Sequence, residues 1–243
     1  MKKIILFLTL GLASYGLCAD VSVPLFSSLK PGQSLPKPFS FIALPKIKHN
    51  AVSLVDEVSD TQHATVLKIE SANSAGSIVI PIAATREAGN TTLVWRWKVN
   101  RQLEKADMTK KSGDDFAGRV YVFFDVPLDS LSFIERSKIR IARAIAGADV
   151  PTAALCYVWD NSHAVGHTQW SPYTNRVRKI VLQTGATHIN KWMTESRDVA
   201  ADFKTAFGFD APVVTGVAVG NDTDNTDEAV TTWFGDVRFV KSP

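Results

Sequence analysis

The chain has 243 residues, 45% of them apolar, with 27 Lys and Arg facing 24 Asp and Glu. That length and apolar fraction suit one globular domain with a sizeable core. A charge balance this close to neutral excludes nucleic acid as the main partner, because phosphate binding needs a concentrated basic excess.

The first residues read as an export signal. Lys2 and Lys3 precede the apolar run Ile4 to Leu17, and Ala19 follows Leu17-Cys18. This layout predicts a signal peptide over 1–19, cleaved after Ala19, and a periplasmic or secreted bacterial protein. The run is too short for a membrane span, and no later stretch is long and apolar enough for one. Loss of the two lysines leaves 25 bases against 24 acids. Cys156 then stands without a second cysteine, inside the strand pattern L-C-Y-V-W, and reads as a small buried apolar residue. Residues 20–243 form a single predicted domain.

From Asp20 to about Asn50 the chain is rich in proline, with an edge strand expected near Phe39–Leu44. Strand patterns follow at 66–70, 77–82, 92–100, 119–125, 153–160, 177–183, 212–219 and 230–240. Many short strands at modest spacing predict a mainly β protein, a sandwich or jelly roll. Two helices interrupt them. One opens at the capping box Ser132-Phe-Ile-Glu135, carries Ile134, Ile141 and Ile145, and is closed by Gly147. The other spans about Ser196 to Phe207, with Val199, Phe203 and Phe207 at four-residue steps and Gly208 as its stop.

Period-two alternation sorts the strand faces. Leu93, Trp95, Trp97 and Val99 share one face and are expected in the core. Arg96 and Lys98 project to the other face, and Arg119, Tyr121 and Phe123 are expected to join them. In the strand after Pro151, Cys156 and Val158 are placed inward, and Leu155, Tyr157 and Trp159 outward. On the last strand Trp233, Val237 and Phe239 are placed inward, with Asp236 and Arg238 outward. Arg96, Lys98, Asp114, Asp115, Arg119, Tyr121, Tyr157 and Trp159 thus form the predicted ligand surface. Rings stacking on sugars and charged groups meeting hydroxyls suit a glycan. The competing expectation is that these charges pair among themselves.

Asp222, Asp224 and Thr226 in D-T-D-N-T present oxygens at alternate positions, as a calcium ion requires. The loop is not an EF-hand, since Asp227 stands where its glycine would be, and an Asx-rich turn is the alternative. Asp114 and Asp115 are candidates for acid–base chemistry on a polysaccharide. His163 and His167 lie in a loop without a third ligand, so no zinc site is expected. Glu195, Arg197, Asp198 and Asp202 crowd the start of the second helix, where capping and local ion pairs account for them.

The segments W-R-W-K-V (95–99), G-D-D-F-A-G-R-V-Y-V-F-F (113–124), L-C-Y-V-W-D (155–160), W-M-T-E-S-R-D-V-A-A-D-F (192–203), N-D-T-D-N-T (221–226) and F-G-D-V-R-F (234–239) together resemble the bacterial family called domain of unknown function 3047. The resemblance implies a secreted or periplasmic protein and brings no activity. More loosely, the strand order is similar to carbohydrate-binding jelly rolls. Three functions follow as expectations: a glycan or other polar ligand bound on a sheet face, a polysaccharide hydrolase or lyase using Asp114 or Asp115, and an envelope component without a small ligand.

Overall fold

Alternating burial along Thr91–Val99 sets the frame of the molecule, a computed structural model that describes residues 25–59, 62–82, 91–146 and 151–241. The expected signal segment 1–19 and Gly147 lie outside these residues. The strands are β1 (Ser40–Ile42), β2 (Ala51–Ser59), β3 (Gln62–Ala72), β4 (Ala75–Pro81), β5 (Thr91–Val99), β6 (Phe116–Phe124), β7 (Ala153–Asp160), β8 (Thr168–Ser171), β9 (Thr174–Thr184), β10 (Met193–Asp198), β11 (Val214–Asp222), β12 (Ala229–Phe234) and β13 (Arg238–Lys241). Helices α1 (Phe133–Ala146) and α2 (Val199–Phe207) complete the chain.

They form a two-sheet sandwich. One sheet has seven strands in the order β1-β4-β11-β6-β7-β9-β8, and the other runs β10-β5-β12-β3-β2 with β13 also on β5. All pairings are antiparallel except β7 with β9. Between the sheets, Trp95 and Trp97 of β5 meet Tyr157 and Trp159 of β7, with ring centroids 5.3 and 5.6 Å apart. The core placement of Leu93, Trp95, Trp97 and Val99 holds, and Val120, Val122 and Phe124 join them from the facing sheet. Aromatic contacts of this kind add about 0.5–1.5 kcal/mol each beyond area burial.

Three sequence expectations are corrected. Strand β7 faces the other way: Leu155, Tyr157 and Trp159 lie in the main core, with Trp159 only 1% exposed. Cys156 and Val158 pack in a second cluster with Met108, Phe116 and Val181 on the outer side of the seven-stranded sheet. Near the C-terminus, Phe234 points inward and Trp233 outward, where Lys98 lies over its ring. Gly235 follows β12, at a position where a side chain would collide with Arg96.

The helices follow their local signals with one change of face. Ser132 and Glu135 form the expected capping box, Ser132 Oγ lying 2.7 Å from Glu135 Oε2. Yet Ile139 packs in the core and Ile134 is exposed, while the side chains of Ile141 and Ile145 lie outside the described ones. α2 starts three residues later than expected: Asp198 caps it by accepting from Ala200 N–H and Ala201 N–H, and Gly208 ends it at φ 82°. The residues just before it, Met193–Asp198, form edge strand β10 instead.

Candidate functional site

The predicted ligand surface is divided between opposite sides of the sandwich. β5 and β6 belong to different sheets, so Arg96 and Lys98 face out from one sheet while Arg119 and Tyr121 face out from the other. Tyr157 and Trp159 are withdrawn into the core and offer no ring to a ligand.

On the β5 side, Lys98 Nζ lies 4.5 Å from the Trp233 ring centroid and pairs with Glu57 at 2.8 Å. The Arg96 guanidinium covers Trp192 at 4.9 Å. The cations therefore occupy faces of the indoles that a sugar would need.

On the β6 side, the charges meet one another. Arg119, 9% exposed, pairs with Asp222, whose other oxygen accepts from Phe116 N–H. Burial pushes the Asp222 carboxyl up to about 7, Arg119 opposes this, and Asp115 adds to it. Lys179 reaches from β9 to Asp114 and to Met108 O. Asp115 accepts from Asn225 N–H, Asn225 Nδ2, Thr226 N–H and the Thr226 hydroxyl. These partners tie Asp114 and Asp115 into the structure. The turn before them needs Gly113, since a Cβ there would lie 2.7 Å from Asp107 N.

Asp115, Asp222 and Asp224 bring one carboxylate oxygen each within 4.8 Å of one another, a group that could hold a metal ion. The set differs from expectation: Asp115 joins it, while Thr226 engages its hydroxyl and amide with Asp115. Oxygen donors of this kind suit a hard divalent cation. The Asp224 Oδ1 atom is buried and has no hydrogen-bond partner.

A different site opens at the edge, where β8–β9 of one sheet face β10 of the other and helix α2. A cleft of about 250 Å³ is lined there by Val165, Thr168, Arg178, Ile180, Leu182, Arg197, Asp202, Thr205 and Ala206, with Gly166 at its rim. Strand β9 turns Arg178, Ile180 and Leu182 to this side and Lys179 and Val181 to the outer side. Arg178 stacks on Trp170 at 4.8 Å and donates to the Thr168 hydroxyl. Its guanidinium has no ion-pair partner among the described residues. Opposite it, Arg197 grips Asp202 with two hydrogen bonds, and the Tyr157 hydroxyl donates to Asp202 Oδ2 at 2.7 Å. Burial raises Tyr157 well above the ordinary phenol range, so it remains a donor.

Deeper along the same seam, Glu195 accepts from Trp97 Nε1 at 3.1 Å and Gln183 Nε2 at 2.7 Å. Burial raises its carboxyl above the ordinary range against these hydrogen bonds. The capping and ion pairing expected of Asp198, Arg197 and Asp202 are found. Thr168, Arg178 and Thr205 were not anticipated. Their signal lies in the parity of β9, whose inward positions read Arg176, Arg178, Ile180, Leu182: an apolar stripe that begins with two arginines.

The family described as protein of unknown function (DUF3047) matches residues 41–238, from β1 into β13. The chain belongs to this family. No curated protein matches the DUF3047 chain. Solved structures similar to it include an exo-beta-agarase, with a TM-score of 0.40 and 10% identity over 93% of this chain and 25% of that one. The family GH12 endoglucanase 3 of Trichoderma harzianum gives a TM-score of 0.41 and 8% identity over 86% of this chain and 100% of that one. The family 11 carbohydrate-binding module of Lic26A-Cel5E from Clostridium thermocellum gives 0.38 and 5% over 92% and 97%. No site residue is carried over from them.

Proposed function

We propose that this DUF3047 protein binds a polar ligand, a glycan unit, in the edge cleft. The observation that carries the proposal is Arg178: a half-buried guanidinium, lying over the Trp170 ring, lining a cavity and lacking an acidic partner among the described residues. Thr168 and Thr205 add hydroxyls, while Ile180, Leu182 and Ala206 supply apolar wall for the C–H faces of a sugar. The outer-face charges, in contrast, are already paired with one another. Isothermal titration against a glycan panel tests the proposal. Arg178→Gln should weaken binding at least tenfold, and Thr205→Trp, which fills the cleft from α2, should abolish it. Binding that survives both changes removes the cleft as the site.

A second feature favours a structural divalent cation, calcium by its oxygen donors, held by Asp115, Asp222 and Asp224. Three carboxylates converge beside the single guanidinium of Arg119, and one oxygen of Asp224 is buried without a partner. Calcium should raise the melting temperature of chelator-treated protein, and Asp224→Asn should remove the rise. An unchanged melting temperature would leave this loop as a turn. The basic and apolar pattern of residues 1–19 supports export to the bacterial periplasm or beyond, and N-terminal sequencing of the exported protein tests cleavage after Ala19. Among the described residues no helix is long and apolar enough to cross a membrane.

A further inference from the structure

We infer that the ligand of the edge cleft carries a carboxylate, in the form of a uronate sugar, and that Arg178 receives it. This inference rests on the cleft reading above and adds the charge of the ligand.

Among the charged side chains lining the cleft, Arg178 and Arg197 are positive and Asp202 is negative. Asp202 is engaged on both oxygens, by the Arg197 fork and the Tyr157 hydroxyl. Glu195, two residues before Arg197 on β10, turns its carboxylate to Trp97 and Gln183 instead. One positive charge is therefore left over, and it belongs to Arg178. A half-buried cation facing an apolar wall is costly without a counter-charge, and a ligand anion removes that cost.

The shape of the donor selects the anion. The Arg178 guanidinium lies over the Trp170 ring, and Thr168 takes one N–H. An arginine fork presents its remaining donors to a planar, two-oxygen acceptor, which a carboxylate matches in bidentate fashion. A single surplus charge suits one carboxylate better than a doubly charged phosphate. Ile180 and Leu182 beside it, with Ala206 across the cleft, leave room for a ring with apolar C–H faces. A carboxylate attached to a pyranose meets both requirements.

The experiment uses the full exported chain and three probes: oligogalacturonate, its methyl ester and neutral galacto-oligosaccharide of equal length. Trp170 lies against Arg178, so its fluorescence reports binding alongside titration calorimetry. The acid should bind at least tenfold more tightly than the ester and the neutral sugar. Raised salt should erode that preference. In Arg178→Gln the acid should fall to the affinity of the ester, whereas Arg178→Lys should keep part of the preference. Equal binding of acid and ester in the unmodified protein, still abolished by Thr205→Trp, overturns the carboxylate inference and leaves the cleft reading standing. Absence of binding by all three probes overturns both. An acid preference that persists unchanged in Arg178→Gln shows that another residue receives the charge and likewise overturns the assignment.

Discussion

The acidic end of the seven-stranded sheet and the edge cleft are both polar, and they differ in how their charges are answered. At the acidic end, Arg119 meets Asp222, Lys179 meets Asp114, and Asp115 is surrounded by donors from Asn225 and Thr226. At the cleft, Arg197 and Asp202 complete each other while Arg178 is left facing a cavity. Density of charged residues alone does not mark function, since structural ion-pair networks show it too. What separates the two regions is incomplete satisfaction next to open volume.

Substitutions break this comparison at either end. Trp159→Ala removes a ring packed on Trp97 and should destabilise by about 3–5 kcal/mol. Urea denaturation checks this, and a small change would return Trp159 to the surface. Arg119→Ala strands the buried Asp222 and should also cost about 3–5 kcal/mol, whereas replacing both partners by apolar residues should recover much of the loss. Additive losses in that double-mutant cycle would refute the pairing. Asp198→Ala deletes the α2 cap and should cost about 1 kcal/mol, seen as a lowered denaturation midpoint. Arg178→Gln should leave stability unchanged or raise it by about 0.5 kcal/mol, since no acid among the described residues answers the residue; a large loss would move it from binding to structure.

The smallest effect is one of slope. The Glu195 carboxyl is raised above its ordinary value of 4.5, first by burial, so the folded protein holds this proton to higher pH than the unfolded chain. Its contribution to stability is present at low pH and is lost as pH rises from 4.5 through the raised folded value. Glu195→Gln should remove that portion of the decline, read as the difference between the two stability–pH curves.

Much of this arrangement was legible because alternation is informative wherever one face is polar. In β5, Trp95 and Trp97 alternate with Arg96 and Lys98, and the inward side is unambiguous. In β7 both sides are buried: Leu155, Tyr157 and Trp159 meet the opposite sheet, while Cys156 and Val158 lie under Met108 and Phe116. The strand is buried along its whole length, Asp160 included, so no exposed side chain marks its parity. Alternation also says nothing about which sheet a strand enters. The residues between β5 and β6 carry the chain from one sheet to the other, and that separated Arg96 from Arg119. β10 carries no strand signal because M-T-E-S-R-D is almost wholly polar, as a partly exposed edge strand can be. The cleft depends on β8–β9 and β10–α2 coming together, a tertiary event with no local signature apart from the two arginines on the inward side of β9.

The parallel pairing of β7 with β9 has a consequence for the order of folding. β8 follows β7 in the chain, yet β9 lies between them in the sheet, so residues 161–167 must pass across the end of β9 to reach the edge. The β8–β9 hairpin turns over Pro172 and Tyr173 and can close by local contacts, but its attachment to β7 waits for that crossing. Val165 and Gly166, which rim the cleft, ride on the crossing segment. The cleft thus exists only once the crossing is made, and an occupant that recognises the finished cleft should act as a latch. It would lengthen the lifetime of the native state by slowing unfolding while leaving the refolding rate nearly untouched.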